Sequence, residues 1–170
     1  MMSPLDELLA LSSVEMRWRI GTKEISPVEL VEASIARIEA LNPAVNAIAA
    51  TDFARARKIA MGAESAARKG EQLGLLHGLP TGIKDLHETA GLLTTYGSPL
   101  YRSHVPAHDA AMVALVRKAG AIILCKTNVP EFGAGANTTR SPPRTPWTAC
   151  PHAREKTLNN FPRSPVARRR

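Results

Sequence analysis

Lys84 stands where a short apolar run, Leu79-Pro80-Thr81-Gly82-Ile83, stops and Asp85 follows. The end of such a strand is the usual place for reactive groups in open α/β sheets. A lysine there has two possible jobs. Paired with a carboxylate or left in water it remains an ammonium; desolvated, or set beside another positive charge, it loses its proton nearer neutral pH and acts as a general base. With Asp85 adjacent, spacing alone favours the solvated or ion-paired lysine. Two polar stretches lie downstream, Thr94-Thr95-Tyr96-Gly97-Ser98 and Lys126-Thr127-Asn128-Val129-Pro130-Glu131-Phe132-Gly133. Residue by residue, the first reads as a loop in which glycine supplies a positive φ. In the second, Thr127, Asn128 and Glu131 are suited to holding a loop by hydrogen bonds.

His104 and His108 are four apart and adjoin Asp109, which has the outline of half a metal site. Pro106 lies between them and prevents an ordinary shared helix face. The expectation is that Asp109 caps the following helix, that both histidines are exposed in a loop, and that no metal is held. Cys125 and Cys150 show no ligand spacing. They read as one buried thiol at a strand end and one incidental thiol.

The elements that must position these groups follow from punctuation and periodicity. Ser3-Pro4-Leu5-Asp6 opens a helical stretch through Leu11, and Val14 to Ile20 forms a second, stopped by Gly21. Ser26-Pro27-Val28-Glu29 is a capping box with proline at the first helical position, so a helix starts there and runs to Asn42-Pro43. Its stripe of Val28, Val31, Ile35, Ile38 and Leu41 is a packing face. Ala44 to Thr51 is apolar enough for a strand. Phe53 to Lys69 is an alanine-rich helix closed by Gly70, its small residues Ala56, Ala60, Ala63 and Ala67 permitting close approach to a neighbour. Leu79 to Ile83 reads as a strand, Asp109 to Ala119 as a helix stopped by Gly120, and Ala121 to Cys125 as a strand buried on both faces. Helix followed at once by buried strand is half of a βαβ unit, which argues for an α/β sheet covered by helices.

The formal net charge of +7 suggests nucleic acid or an acidic membrane until its position is considered. Residues 1–139 hold 14 basic and 14 acidic groups, and residues 140–170 hold 8 basic groups against 1 acid. The globular part is therefore neutral, and binding of nucleic acid is not expected. No stretch approaches the ~18 apolar residues of a membrane span, and the N-terminus lacks the basic and apolar regions of a signal peptide. A cytoplasmic location is the expectation. Residues 140–170 also contain six prolines and seven arginines without helical or strand periodicity, so they are expected to form a disordered basic tail.

The run Gly78-Leu79-Pro80-Thr81-Gly82-Ile83-Lys84-Asp85, with Thr94 to Ser98 and Lys126 to Gly133, resembles the front part of the amidase signature family over nearly all of residues 1–139. Cys125 stands where that family usually has glycine. The resemblance implies the N-terminal part of an α/β/α fold, a mixed sheet with helices on its faces, here incomplete. It implies that Lys84 is the catalytic lysine, kept neutral and drawing a proton, through a serine in a cis peptide, from a nucleophilic serine. The reaction implied is hydrolysis of a carboxylic amide to acid and ammonia. The substrate would be a small amide, and no cofactor is implied. The A subunit of a glutamyl-tRNA amidotransferase resembles the same motifs, and nothing in the residues separates the two.

After Asn137-Thr138-Thr139 the family would continue through an Asn-Pro-Trp-type stretch into Gly-Gly-Ser-Ser-Gly-Gly-Ser. This chain reads Arg140-Ser141-Pro142-Pro143-Arg144-Thr145-Pro146-Trp147, and no glycine follows Gly135. An oxyanion cradle is often worth ~3 kcal/mol per donor, and its tight backbone turns need glycine. The expectations are a truncated amidase domain over residues 1–139, a shifted reading frame over residues 140–170 and an inactive chain. A non-catalytic fragment that docks on another subunit is the alternative, and unpaired sheet edges are expected to promote self-association.

Overall fold

The computed structural model describes residues 4–135; the expected tail over residues 140–170 lies outside the described residues. Two short helices, α1 (Pro4–Leu9) and α2 (Ser13–Gly21), lead into α3 (Pro27–Val45). The capping box forms as its residues dictate: Ser26 Oγ accepts from Val28 N at 2.9 Å, and Glu29 Oε2 accepts from Ser26 N at 2.9 Å. The helix buries Leu30, Val31, Ala33 and Ile35.

The expected stop at Asn42-Pro43 is corrected, because α3 runs to Val45 with Pro43 inside its last turn. A proline there removes one hydrogen bond where the helix is about to end in any case. Termination comes from Asn46, left-handed at φ 48°, ψ 42°, and from Asn42, whose side chain holds both the N–H and the carbonyl of Ile48. The strand expected from Ala44 accordingly begins later, as β1 (Ile48–Thr51).

Helix α4 (Phe53–Lys69) starts at the Asp52 cap and closes at Gly70, φ 74°. Then follow β2 (Pro80–Lys84), α5 (Ala111–Lys118) and β3 (Ile122–Thr127). The sheet order is β1-β3-β2, with β3 antiparallel to β1 and parallel to β2. The sheet is therefore mixed, and β2 with α5 and β3 completes the parallel unit that the sequence half revealed.

Strand β3 is the centre of the core. Ile122, Leu124 and Cys125 pack with Val31 and Ile35 of α3 and with Ala56 and Ala60 of α4. Ile123 packs instead with Ile83, Leu92 and Val113 of α5. Both faces of the strand are thus covered, as its unbroken apolar run requires. The side chains of Ala56 and Ala60 are wholly buried, which lets α4 lie close against α3 and β3. Burial of these apolar groups is the main favourable term in holding the layers together.

Candidate functional site

Lys84 is the last residue of β2 and pairs with Thr127 across the parallel register. Asp85 N donates to Thr127 O at 3.0 Å, and His87 N donates to Lys84 O at 3.0 Å, so the main chain is fastened on both sides of the lysine. The Lys84 side chain is exposed. Among the described residues it forms no ion pair, although an aspartate follows it directly.

Asp85 points the other way. Successive residues of a strand face opposite sides, and Asp85 is only 1% exposed. Its carboxylate accepts from Thr95 N at 3.1 and 3.2 Å and from Thr95 Oγ1 at 2.5 Å. The Lys126 ammonium lies 3.8 Å away.

Lys126 has no exposed surface. Its register partner is Ile83, which places it with the buried face rather than with Lys84. Its Nζ donates to the His87 carbonyl, to Thr89 Oγ1 at 3.1 Å and to Thr94 Oγ1 at 2.9 Å. Thr94 Oγ1 in turn donates to Leu92 O at 3.1 Å. Burial pushes the Lys126 amine down to about 8, against the opposing pull of Asp85, Glu88 and Asp109. Among the described residues no buried side-chain polar atom lacks a partner.

This cluster ties the segment after β2 to the segment after β3, and two further contacts lock them. Gly97 has φ 68°, and a Cβ there would meet Val129 O at 2.7 Å. Ser98 Oγ donates to Glu131 Oε1 at 2.7 Å. Asn128 N donates to Ala47 O at 2.7 Å, and Asn128 Nδ2 donates to Asn46 O at 3.0 Å. Asn128 and Glu131 thus do the loop-holding work that their residue types suggested.

Beside this floor the rings of Tyr96, Tyr101, His104 and Phe132 gather, with Tyr96 and Tyr101 centroids 4.9 Å apart. Tyr96 and Phe132 both hold positive φ, 54° and 51°, and Phe132 N donates to Tyr96 O at 2.7 Å. Tyr96 Oη donates to Glu88 Oε1 at 2.8 Å. Burial, with the Glu88 carboxylate next, raises the phenol to about 12. The Tyr96 and His104 hydrogen bonds hold the Glu88 carboxyl below its ordinary range.

Two expectations are corrected. Asp109 does not cap α5, whose cap position is Ala110 without a side-chain bond. Its carboxylate accepts instead from Ala90 N at 2.7 Å and Arg117 Nε at 2.8 Å, a better use of a charge that would otherwise face only backbone. His104 is half-buried against Tyr96 and lies 3.3 Å from Glu88; His108 is exposed. Cys125 is buried, and burial raises its thiol to about 11. Among the described residues no three His, Cys, Asp or Glu side chains converge to hold a metal, and no helix is long and apolar enough to cross a membrane.

The structure brings Lys84, Asp85, Thr94, Thr95, Ser98, Thr127 and Glu131 to one end of the sheet. Sequence reasoning missed Lys126, a charged residue directly after four buried strand residues, Ile122 to Cys125. That placement was the available signal, since a lysine continuing a two-sided buried strand must find internal partners. Chemically, the arrangement is a solvent-facing amine without a counter-anion among the described residues, set on a hydrogen-bonded floor.

The Amidase family matches residues 29–158. The A subunit of the glutamyl-tRNA(Gln) amidotransferase from Acidothermus cellulolyticus is 37% identical over 146 residues, covering 84% of this chain and 29% of that protein. An acylamidase of Rhodococcus erythropolis is 37% identical over 140 residues, covering 81% of this chain and 29% of its own length. Among solved structures, the peptide amidase of Stenotrophomonas maltophilia superposes with a TM-score of 0.68 at 31% identity, over 72% of this chain and 26% of that one. A bacterial aryl acylamidase of the amidase signature enzymes gives 0.67 at 28% identity, over 72% and 26%. The chain therefore spans less than a third of the length of these relatives. With the family match covering most of its residues and the sheet, helices and strand-end lysine in the arrangement described, this chain belongs to the Amidase family.

Proposed function

We propose that this chain carries the lysine of an amide-hydrolysing centre, with Lys84 as general base. The observation that carries the reading is the state of Lys84: exposed at the end of β2, with its sequence neighbour Asp85 turned inward to Thr95 and Lys126. In the reaction a serine hydroxyl attacks an amide carbonyl, its proton passes through a second serine in a cis peptide to the Lys84 amine, and the same proton is returned to the departing nitrogen, which leaves as ammonia or an amine. Water then cleaves the acyl-serine ester to the carboxylic acid. The substrate class is a small carboxylic amide.

Both serines belong to a Gly/Ser-rich loop that these 170 residues do not contain. We assign residues 1–139 to the amidase unit and place a shifted reading frame within residues 140–170. Sequencing the gene and transcript across codons 130–180 tests the frame; a neighbouring frame without a Gly/Ser-rich loop refutes it. Ammonia release from simple amides, measured for this chain, a frame-restored version and its Lys84→Ala variant, tests the chemistry. Turnover only in the restored version, lost in Lys84→Ala, is the expected result. Acylation of any serine of the 170-residue chain by an amide-mimicking probe would overturn it.

A second reading is a portion of the A subunit of a glutamyl-tRNA amidotransferase, favoured by the amidotransferase relatives. Release of ammonia from glutamine in preference to simple amides by the restored version would select it.

A further inference from the structure

A lysine followed directly by an aspartate at an exposed strand end would ordinarily share its charge with that neighbour. Here Asp85 is denied to Lys84. The carboxylate is 1% exposed, fixed by two Thr95 donors, and set 3.8 Å from an ammonium that arrives from the next strand. Lys126 in turn is held by the His87 carbonyl and by the Thr89 and Thr94 hydroxyls. The groups that carry charge toward Lys126 are Asp85, Glu88 and Asp109. Of these, Glu88 is engaged by Tyr96 and His104, and Asp109 by Ala90 and Arg117. Asp85 is therefore the carboxylate that Lys126 neutralises at close range.

We propose that Lys126 is a positioning residue that sequesters Asp85 from Lys84, leaving the strand-end amine without that carboxylate as a counter-anion. The inference rests on the reading of Lys84 as the base and deepens it, since Lys126 is wholly buried and acts on Lys84 through Asp85. Register makes the device possible. Lys126 pairs with Ile83 and Lys84 with Thr127, so the two lysines occupy opposite sides of the parallel pair. Asp85, one step beyond Lys84, returns to the side of Lys126. A salt bridge that looks like a piece of structural glue thus decides which of two lysines owns the aspartate.

The test is the acetylation rate of Lys84 in the 170-residue chain below about pH 7.5, where Lys126 keeps its charge, read at micromolar protein by peptide mass spectrometry; there the rate follows the neutral fraction and gives the Lys84 midpoint that holds while Lys126 is charged. Lys58 and Lys69 on α4 serve as internal standards, and near-UV circular dichroism reports folding. In Lys126→Met, Asp85 is released from its cation, and the Lys84 midpoint is expected to rise by about half a pH unit or more, the direction an added nearby anion imposes. In the double variant Asp85→Asn/Lys126→Met the anion is gone as well, and the midpoint is expected within about 0.2 unit of the unaltered chain. A Lys126→Met protein that folds with an unmoved Lys84 midpoint overturns the proposal.

If Lys126→Met does not fold, Asp85→Asn alone decides. Sequestration predicts a midpoint within about 0.2 unit of the unaltered chain, whereas a fall of about half a unit or more means Asp85 already acts on Lys84 and refutes it. No substrate enters the measurement. A null result therefore removes this role of Lys126 and leaves amide hydrolysis to be judged by ammonia release.

Discussion

The Lys126 ammonium and the Asp85 carboxylate lie 3.8 Å apart with side chains 0% and 1% exposed. A buried pair of this kind is expensive to break and less expensive to delete. Removing one partner strands the other charge, typically at a cost of about 3–5 kcal/mol, while replacing both by apolar groups of similar size can be close to neutral. Lys126→Met should therefore lower the urea midpoint far more than Asp85→Leu/Lys126→Met. Equal losses would mean that the pair contributes nothing beyond packing.

The same burial makes a pH signature. The Lys126 amine sits at about 8 in the fold and returns to about 10.4 in the unfolded chain. Between those values the unfolded chain binds more protons, so this group makes stability rise with pH. Its penalty is complete below about pH 8 and gone above about 10.4. Urea unfolding at pH 7.5, 8.5 and 9.5 should show the unaltered chain gaining stability relative to Lys126→Met as pH rises. A gap that widens in the opposite direction contradicts the assignment.

Lys84 should behave as the reverse of Lys126. Its side chain is exposed and makes no ion pair among the described residues, so Lys84→Ala is expected to change stability by no more than about 0.5 kcal/mol. Thermal melts of the two proteins should coincide. In the frame-restored version the same substitution should abolish ammonia release.

Gly97 tests the lock between the two strand-end segments. An added Cβ would sit 2.7 Å from Val129 O and 3.0 Å from Pro130 O, at φ 68°. The positive φ alone costs a non-glycine residue about 1 kcal/mol, and contact with main-chain oxygens adds to it. Gly97→Ala should destabilise the fold by about 2 kcal/mol or more and speed amide hydrogen exchange at Ser98 and Phe132. Unchanged exchange there would show that the segments move together without this contact.

Much of the architecture was legible because local chemistry and packing agree. The Ser26-Pro27-Val28-Glu29 cap, the Asp52 and Gly70 limits of α4 and the unbroken apolar run of β3 each name an element by themselves. Short-range signals failed where a distant partner won. Asn42 and Asn46 carry α3 through Pro43, and Ala90 with Arg117 draws Asp109 away from capping α5.

At the candidate site the division is sharper. Sequence determined which residue types were present and that Lys84 ends a strand, because strand and turn punctuation lie within a few residues of it. It left open whether Lys84 is solvated or paired with Asp85. Tertiary structure decided that question. Parallel pairing of β2 with β3 brings Lys126 beside Asp85 from 41 positions away in the chain, and strand alternation turns Lys84 to the other side. Which charge meets which depends on register and burial, and neither is encoded in the spacing of the residues concerned.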